Sequence, residues 1–404
     1  MTPSTLSDRD RRALVAVAGQ FFVNGAMMAS FIARAPQIRD QIGVTVDRFG
    51  LLLTVASSVG LVASAVAGRV IHRFGTRRVL QVGVVVTTLT MPAIGAAPGP
   101  AVWLAAMMTY MFVDLFIDIA MNLQGSWISA RRHRPVMNRL HGVWSLGTFA
   151  GSLGAVAANV AGLAPFTHLA LVGVVVGGLL VVITRNLLPT DEAEHADSPA
   201  AASAAPPTRR SLLAPVLLLA LAGMFAAVNE AAPGDWATFR LTDDFGAAGA
   251  LGSAAFAALT VGMTAMRFGG DALQERLGRA GLRRMSIGLT ALGVVLAGLV
   301  PSAAVSLVGF AVIGLGVATF MPTLYDDAAQ VPGRRGAGLG GLTAGMRLSF
   351  LGTPVLVGVL ASTSLSVGDA IAVLTLPALL GLAVVSEWNE RLLRQRAQPA
   401  SHRG

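Results

Sequence analysis

Long apolar runs separated by short polar segments make up nearly the whole chain. A helix needs about 20 mainly apolar residues to cross a bilayer, and twelve segments reach roughly that length. They cover residues 13–33, 49–69, 79–97, 102–127, 142–163, 166–187, 212–232, 247–269, 284–301, 303–325, 337–361 and 367–387. The pattern therefore predicts twelve membrane-spanning helices, numbered below as spans one to twelve, joined by short loops.

The chain is divided and repeated near its middle. Residues 189–211 form the one long polar connection, and their Pro, Ala and acidic residues are typical of a flexible linker. The tripeptide Arg-Phe-Gly at 73–75 follows span two, and Arg-Leu-Gly at 276–278 follows span eight, 203 residues later. Parallel six-helix halves are a known plan for transporters. We predict an all-α membrane protein of two pseudo-symmetric six-helix bundles, residues 1–188 and 212–404, with a cytoplasmic linker between them.

Composition argues against a soluble globular protein. Of the 404 residues, 54% are hydrophobic and only 13% are charged, against about 25% charged in soluble domains. The net charge is +9, but the basic residues, all Arg, lie in small clusters between apolar runs. No separate basic module exists, so no nucleic-acid partner is expected. Without Cys, or any phosphate loop or nucleophile–base arrangement, we predict no metal, no cofactor and no enzymatic activity.

The distribution of arginine predicts the orientation. The segments before span one and after each even-numbered span hold 24 arginines, whereas the loops on the opposite side hold four. Because positive residues tend to stay in the cytoplasm, both termini are predicted to be cytoplasmic. The N-terminal arginines before an apolar run resemble a signal peptide. That run is long and lacks a cleavage site, so we interpret it as a retained first helix.

The loop after span two, residues 68–78, reads GRVIHRFGTRR. It resembles the G-x-x-x-D-R-x-G-R-R signature of the major facilitator superfamily, with His72 in the place of the usual acid. Gly75 is expected to form a tight turn, and the arginines are expected to contact anionic lipid headgroups.

A weaker copy of this loop follows span eight and contains Asp271 and Arg276. The resemblance implies that Arg73, Asp271 and Arg276 take part in gating. The alternative is that these loops are only a topology signal, because arginine beside a span is expected in any case.

A narrower resemblance involves spans four, five and seven. Residues 118–124 read DIAMNLQ, residues 141–147 read HGVWSLG, and Glu230, Asp235 and Trp236 lie at span seven. These motifs are similar to those of a fucose-permease-like branch of the superfamily. The resemblance implies a bacterial inner-membrane solute carrier, often coupled to protons, and a monomer is expected.

Span four carries polar residues at every fourth position, so Tyr110, Asp114, Asp118 and Asn122 share one helix face. An intramembrane acid costs about 2.5–3.5 kcal/mol on insertion scales, so this face is expected to line a cavity or contact another helix. The two acids are about 6 Å apart along the axis and repel by about 2.8 kcal/mol at an effective dielectric of about 20. One acid should therefore hold a proton near neutral pH. We predict a proton-coupling site; the alternative is a structural interhelical hydrogen bond.

Spans one and seven also carry polar residues. Gln20 and Asn24 form a pair on span one that is either a substrate contact or an amide pair holding helices together. On span seven, Pro233 and Gly234 are expected to break the helix beside Glu230. Because broken helices mark binding sites and gates in transporters, Glu230 is predicted to reach the substrate cavity.

Two arginines are predicted to have acidic partners. Arg34 closes span one on the outer side, where it is expected to pair with Glu230 or Asp235 as an outer gate. The alternative is an exposed ion pair that contributes little to the stability of the protein. Arg347 lies near the midplane of span eleven, and both it and Asp114 depart from the branch pattern, so we predict a compensating pair across the cavity. The alternatives are a substrate carboxylate or phosphate bound by Arg347, and a hydrogen bond to carbonyl groups of a neighbouring helix.

Small residues recur at helical spacing on spans two, five, eight and eleven, which should let helices approach closely. These stripes are Gly60, Ser64 and Gly68; Gly147, Gly151 and Ala155; Ala254, Ala258 and Gly262; and Ala337, Gly341 and Gly345. The resemblance implies that these four spans form the interface between the halves, so the stripes would let the halves rock. The alternative is ordinary tight packing.

These features predict an alternating-access carrier with a central site lined by spans one, four, seven and ten. The expected partners are a small polar, sugar-like solute, protons and the lipid bilayer. Span five lacks the Gly-Pro pair often found in drug–proton exporters of the superfamily, which favours uptake. One alternative is an exporter of amphiphiles, which cavity walls rich in Met and Trp would favour. Another is a membrane sensor or receptor that transports nothing, but no attached soluble domain supports it.

Overall fold

The computed structural model describes residues 8–132, 136–189, 209–329, 331 and 337–397. These residues form helices joined by short turns, and the described ranges contain no β-strand. The helices are α1 (Asp8–Ile32), α2 (Ala35–Gln41), α3 (Val46–Ala96), α4 (Pro100–Arg132), α5 (Met137–Val160), α6 (Pro165–Thr184), α7 (Arg209–Asp243), α8 (Gly249–Val294), α9 (Ala303–Val317), α10 (Phe320–Ala329), α11 (Ala337–Ala361) and α12 (Val367–Ala397). A short π-helix, Val295–Leu299, continues α8. The predicted linker, residues 189–211, lies almost entirely outside the described residues.

Two of these helices each contain two spans. α3 has 51 residues, which as a straight helix would extend about 76 Å, against about 30 Å for the hydrocarbon core of a bilayer. Gly75 (φ 76°, ψ 152°) interrupts α3 and Gly278 (φ 70°, ψ 169°) interrupts α8, both in a conformation that favours glycine. The turn predicted at Gly75 is confirmed. With these divisions, the ten described helices that are long and apolar enough to span a membrane correspond to the twelve predicted spans.

The helix order places the turns at Gly75 and Gly278 at the same end of the molecule as the start of α1 and the end of α12. This end holds most of the arginines and is called the inner end below. The opposite end, called the outer end, carries α2 and the turn between α7 and α8.

The helices pack as two groups with the same internal arrangement. α1 packs against α5 and α3 against α4 in the first group, whereas α7 packs against α11 and α8 against α9 in the second. The two groups meet mainly through α5 with α8 and through α3 with α11. This is the predicted two-bundle architecture, and the groups are called the N half (α1–α6) and the C half (α7–α12).

The small-residue stripes pack helices inside each half. A Cβ atom at Gly147 of α5 would overlap a carbonyl oxygen of α1, one at Gly262 of α8 a carbonyl oxygen of α9, and one at Gly345 of α11 a carbonyl oxygen of α7. Gly60 and Gly68 of α3 face open space instead. The prediction that these four spans form the interface between the halves is confirmed, since α5 packs against α8 and α3 against α11. The glycines at 147, 262 and 345, however, make their close backbone contacts inside one half. The physical reason is that the closest backbone contacts are those within a bundle, where small residues are needed.

Between the halves, close backbone approach occurs at the outer end. A Cβ atom at Gly50 of α3 would overlap the carbonyl oxygen of Pro354 on α11, and one at Gly358 would lie 3.0 Å from the carbonyl oxygen of Val46. Further along α3 toward the inner end, nothing lies within 4 Å of such an atom at Gly60. The backbones of α3 and α11 are thus in close contact at the outer end and lie further apart from Gly60 toward the inner end.

Gly345→Ala is expected to lower the unfolding temperature of the detergent-purified protein, because the added methyl group must push α11 away from the carbonyl oxygen of Ala220. Overpacking of this kind costs about 1–3 kcal/mol. Gly340→Ala on the same helix is the matched control, since nothing lies within 4 Å of a Cβ atom there. Equal unfolding temperatures for the two variants would contradict the close contact between α7 and α11.

Candidate functional site

A cavity of about 570 Å³ lies between the two halves. From the N half, α4 and α5 contribute Asp118, Asn122 and His141 to its wall. From the C half come residues of α8, of α10 and of the turn between α9 and α10. The full lining is Asp118, Asn122, Met137, His141, Met266, Arg267, Gly270, Asp271, Gln274, Leu282, Ala318, Thr319, Met321, Pro322, Thr323, Tyr325 and Asp326. The lining runs from Asp118 on α4 to residues beside the inner-end turn of α8, so the cavity reaches the inner end.

The polar face of α4 lies inside the protein as the four-residue spacing predicts. Tyr110 is buried, Asp114 is half-buried and Asp118 is exposed to the cavity. The side-chain amide of Asn122 donates to the Asp118 carboxylate over 3.0 Å. The side-chain amide of Asn24, on α1, donates to Asp114 Oδ1 over 2.7 Å. The two acids therefore occupy different environments, one in the cavity and one bound to α1.

The two amide side chains predicted to pair on α1, Asn24 and Gln20, have different surroundings. Asn24 donates to Asp114 and accepts a 2.9 Å hydrogen bond from the indole Nε1–H of Trp144 on α5. Gln20 is only 1% exposed, is not part of the cavity wall, and leaves its side-chain oxygen without a hydrogen bond. The prediction that Gln20 lines the substrate cavity is wrong for this conformation, because its side chain is buried among the packed helices.

Arg267 on α8 is the charged centre of the C-half wall, and the sequence prediction of the site omits it. Its guanidinium carbon lies 5.5 Å from the centroid of the Trp144 ring, and one of its nitrogens lies 4.0 Å from Glu230 Oε1 on α7. The guanidinium also donates to the Ser145 hydroxyl. An arginine inside a predicted span is by itself a functional signal, so the sequence already contained the information needed to find Arg267.

Two further cavity residues were missed as site candidates. His141 packs its ring edge against Phe21 at 5.4 Å and lies within electrostatic reach of Arg267. Tyr325 on α10 lies within electrostatic reach of both Asp118 and Glu230. His141 was visible only as part of a family motif, and Tyr325 had no sequence signal beyond its position in an apolar span.

The helix break predicted in span seven is wrong. α7 continues as an α-helix through Pro233 and Gly234 and ends at Asp243. A proline removes one backbone hydrogen bond, and neighbouring helices compensate for such losses inside membrane proteins. Glu230 reaches Arg267 from this unbroken helix. Asp235 is half-buried, and within the part of the chain that the structure describes its carboxylate has no hydrogen bond or ion pair.

The outer gate predicted between Arg34 and Glu230 or Asp235 is also wrong. Arg34 is 1% exposed and donates to the side-chain oxygen of Asn159 and the carbonyl oxygen of Leu163, both in its own half. The backbone turn after α1 directs this side chain inward, so it cannot reach α7.

A different ion pair joins the halves at the outer end. Arg39 on α2 binds both carboxylate oxygens of Asp243 at the end of α7, one of them over 3.2 Å. Beside it, the side-chain amide of Asn159 donates to Ser253 Oγ over 2.8 Å and to the carbonyl oxygen of Gly249 over 3.2 Å. Ser253 in turn donates to the carbonyl oxygen of Ala33 over 2.6 Å. These polar contacts all cross from one half to the other.

An aromatic cluster closes the same end beneath these contacts. The ring of Phe49 on α3 lies 5.2 Å from Trp103 of α4 and 5.6 Å from Phe239 of α7, and Phe239 lies 4.8 Å from Trp236. All four side chains are fully buried. Rings from both halves therefore pack against each other and fill this part of the outer end.

Arg347 does not pair with Asp114. Arg347 donates to the hydroxyl of Ser64 on α3 over 2.6 Å, and Asp114 accepts from Asn24. The predicted compensating pair is wrong because α11 turns this side chain toward α3, whereas the Asp114 face of α4 turns toward α1. Arg347 is also absent from the cavity wall.

The inner-end loop residues have separate surroundings. Arg73 is exposed with its guanidinium 5.8 Å from the Phe74 ring, and Asp271 lines the cavity mouth. Arg276 is exposed and makes no hydrogen bond or ion pair among the described residues. Nearby, Arg279 forms an ion pair with Asp327 over 2.8 Å.

Arg39→Gln is expected to open the outer end more often, because the contact with Asp243 is lost. The reporter is a single Cys at Ala33, which is buried at that end. An external thiol reagent should label it about threefold to fivefold faster, as expected for a loss of roughly 1 kcal/mol. Arg48→Gln, an exposed arginine at the start of α3, is the control. Unchanged labelling in Arg39→Gln would show that the ion pair does not hold the halves together.

Comparison with known proteins gives a consistent result. Residues 17–333 match the family model of the Major Facilitator Superfamily. The uncharacterized transporter y4wD of Sinorhizobium fredii is 25% identical over 78% of this chain and 81% of its own length. The membrane protein MosC of Rhizobium meliloti is 26% identical over 79% and 76% of the two chains. An uncharacterized MFS-type transporter of Yersinia pestis is 26% identical over 77% and 78%.

Solved structures share the architecture at low sequence identity. A mutant form of the nucleoside transporter NupG superposes with a TM-score of 0.68 at 10% identity over 93% of this chain and 98% of its own. A bacterial homologue of the human lysosomal transporter Spinster, in an inward-facing and unoccupied conformation, superposes with a TM-score of 0.67 at 13% identity over 98% and 100%. At these identities the likeness concerns the fold alone.

Proposed function

Because the chain belongs to the Major Facilitator Superfamily, we propose that it moves a small polar, sugar-like solute across the bacterial cytoplasmic membrane by alternating access, driven by protons. Membership makes it a multi-pass membrane transporter and not an enzyme. The proposal adds the substrate class, the driving ion and the mechanism.

The polar wall of the cavity between the halves is the observation that carries the proposal. Carboxylate, guanidinium, imidazole, amide and hydroxyl groups line it, among them Asp118, Arg267, His141, Gln274 and Thr323. A solute with several hydroxyl groups can donate to some of these and accept from others. An apolar solute would leave them unpaired, at about 1–3 kcal/mol each. The volume of about 570 Å³ suits a small molecule, since such sites measure about 300–1,000 Å³.

The two acids on α4 support proton coupling. Asp118 is exposed to the cavity, where it can meet both solute and protons, and Asp114 lies one turn away on the same face. Two like charges at this separation in a membrane favour a state in which one group holds a proton. A proton taken up and released here once per cycle would couple its gradient to solute movement.

The asymmetry of the two ends supports alternating access. The outer end is closed by the Arg39–Asp243 ion pair and by the buried aromatic cluster, whereas the cavity reaches the inner end. Breaking the outer contacts while closing the inner ends of α3 and α11 would expose the same cavity to the other side. The bundles that move would be residues 1–188 and 212–404, joined by the segment 189–211.

The proposed orientation places both termini in the cytoplasm, and single-Cys labelling tests it. The chain has no native Cys, so Gly99→Cys at the outer end and Leu277→Cys at the inner end are clean reporters. We expect an impermeant thiol reagent added to intact cells to label Gly99→Cys and to leave Leu277→Cys unlabelled until the cells are opened. The reverse result would overturn the orientation.

A second candidate function is the export of amphiphiles. Met137, Met266 and Met321 line the cavity, and flexible methionines suit varied apolar ligands. The wall nevertheless carries four charged side chains, Asp118, Arg267, Asp271 and Asp326, which favour the polar solute because an apolar ligand would leave them unpaired.

A thermal-shift screen of the purified protein distinguishes the two. The screen compares sugars and other polyols, nucleosides, carboxylic acids and amphiphilic drugs, since a ligand stabilises the folded state by RT ln(1 + [L]/Kd). We expect a polyhydroxylated solute to raise the unfolding temperature of the parent and to have a smaller effect on Gln274→Leu. If only amphiphilic drugs stabilise the protein, the proposal of a polar solute is contradicted.

A further inference from the structure

A continuous line of side-chain contacts crosses the molecule from α4 to α7. It runs from Asp114 to Asn24 over 2.7 Å, from Asn24 to Trp144 over 2.9 Å, from the Trp144 ring to Arg267 at 5.5 Å, and from Arg267 to Glu230 at 4.0 Å. The line begins at a carboxylate of the N half and ends at a carboxylate of the C half. Each of its five members lies on a different helix: α4, α1, α5, α8 and α7.

We propose that Asn24, Trp144 and Arg267 form a relay through which protonation of Asp114 in the N half controls the Arg267–Glu230 ion pair in the C half. The inference rests on the proposed proton coupling and deepens it, since it assigns Asn24, Trp144 and Arg267 as positioning residues.

The chemistry of the amide explains how Asn24 would transmit the signal. Ionised Asp114 can only accept hydrogen bonds, so it holds the NH₂ group of Asn24 and leaves the Asn24 oxygen for the indole N–H of Trp144. When Asp114 takes up a proton, its new O–H becomes a donor, and the oxygen of the Asn24 amide that already binds Asp114 can accept from it. The Asp114 hydroxyl and the Trp144 indole then compete for that oxygen, which weakens the hold on the Trp144 ring.

The Trp144 ring in turn positions Arg267. A guanidinium within about 6 Å of an indole centroid is attracted by the negative face of the ring, and Arg267 is at 5.5 Å. Its ion pair with Glu230 is long, at 4.0 Å, so a small movement of the guanidinium decides whether the pair tightens or separates. Because Arg267 also donates to Ser145 across the α5–α8 interface, its movement acts where the halves meet.

Few other ionisable groups act on the two ends of the relay. Asp114 is within electrostatic reach of Asp118 and Tyr110 on its own helix, and α1 and α5 present Asn24 and Trp144 to it. Arg267 is within reach of His141 on α5 as well as Glu230 on α7, and Tyr325 on α10 lies near Glu230 and Asp118. A pH titration of the relay therefore needs variants that separate Asp114 from Asp118 and His141.

Trp144→Phe is the sharpest test, because it keeps an aromatic ring at this position and removes the indole N–H that donates to Asn24. Spin labels at Ala101→Cys and Ser364→Cys, two exposed outer-end positions in opposite halves, report the outer-open population by their distance distribution as the pH is varied. No solute is needed. Trp388→Phe, an exposed indole at 58%, is the matched control, and Arg267→Gln tests the relay at its other end.

We expect the parent and Trp388→Phe to show the same pH-dependent change in outer-open population. In Trp144→Phe and Arg267→Gln the pH-dependent change in outer-open population should be about fivefold smaller, because one hydrogen bond of ordinary strength changes an equilibrium constant by about that factor. In His141→Gln and Asp118→Asn part of the pH-dependent change should remain. Asp114→Asn should remove it. If Asp114→Asn removes the response and Trp144→Phe keeps it in full, the relay is wrong but the coupling site stands. If Asp114→Asn also keeps it, the assignment of Asp114 to proton coupling fails together with the relay.

Discussion

Asp118→Asn is expected to abolish proton-driven accumulation of solute while leaving the protein folded. Asp118 is the carboxylate of α4 that is exposed to the cavity, and an amide in its place cannot take up or release a proton. A gradient of one pH unit is worth about 1.4 kcal/mol, or about a tenfold solute gradient for each proton carried. In proteoliposomes with such a gradient, the accumulation ratio should fall from about ten in the parent to about one in the variant.

Two measurements keep this loss distinct from misfolding. Solute counterflow, which exchanges labelled for unlabelled solute without net proton movement, should persist in Asp118→Asn because the cavity and the moving halves are unchanged. Removing one of two neighbouring negative charges should also leave thermal stability equal or slightly higher. Asp326→Asn is the matched control, since it neutralises a carboxylate of the same cavity that is 67% exposed. Accumulation by Asp118→Asn equal to that of the parent would show that the coupling proton binds elsewhere.

Asp244→Asn is expected to cause the largest loss of stability among single substitutions in the C half. Asp244 forms a 2.7 Å ion pair with Arg240, and both side chains are less than a tenth exposed. Its two oxygens also accept from the backbone N–H groups of Val367 and Gly368 at the start of α12. Arg240 further donates to Ala297 and Val300 at the end of the π-helix. The pair therefore ties the outer ends of α7, α8 and α12 together.

Removing one partner of a buried ion pair typically costs about 3–5 kcal/mol, because the remaining charge stays buried without compensation. Thermal unfolding of detergent-purified protein should therefore shift strongly downward for Asp244→Asn. Asp40→Asn is the matched control, because it removes a carboxylate that is 66% exposed and also paired with an arginine. Exposed pairs contribute at most about 1 kcal/mol. Equal unfolding temperatures for the two variants would contradict the conclusion that the buried contacts of Asp244 hold the outer ends of these helices together.

The fold follows from local properties that a single sequence displays. Apolar runs of membrane-spanning length predicted the helices, and the repeated Arg-x-Gly tripeptide marked the two turns where Gly75 and Gly278 adopt positive φ. The four-residue spacing on α4 placed Asp114 and Asp118 on an interior face, since helical periodicity alone fixes which side chains share a face.

The partners of the charged residues did not follow from the sequence. Arg34, Arg347 and Glu230 were each assigned an oppositely charged partner by their expected depth, but depth does not say which way a helix face turns. Neutral acceptors hold Arg34 and Arg347, and Glu230 is paired with Arg267. The contact between Arg39 and Asp243 depends on how α2 packs against α7, which is a property of tertiary structure. The small-residue stripes likewise indicate close packing without indicating the neighbour.

Net movement of solute and protons together across a sealed membrane tests the proposed function most directly. A polyhydroxylated solute that stabilises the purified protein would be added to proteoliposomes that contain a pH-sensitive dye, with empty liposomes as the control. A proton-coupled carrier of this solute should move it into the vesicles only when the protein is present. The internal pH should change at the same time, and a protonophore should abolish accumulation but not exchange. If the solute binds and stabilises the protein but neither it nor protons cross the membrane, proton-coupled transport of this solute is contradicted.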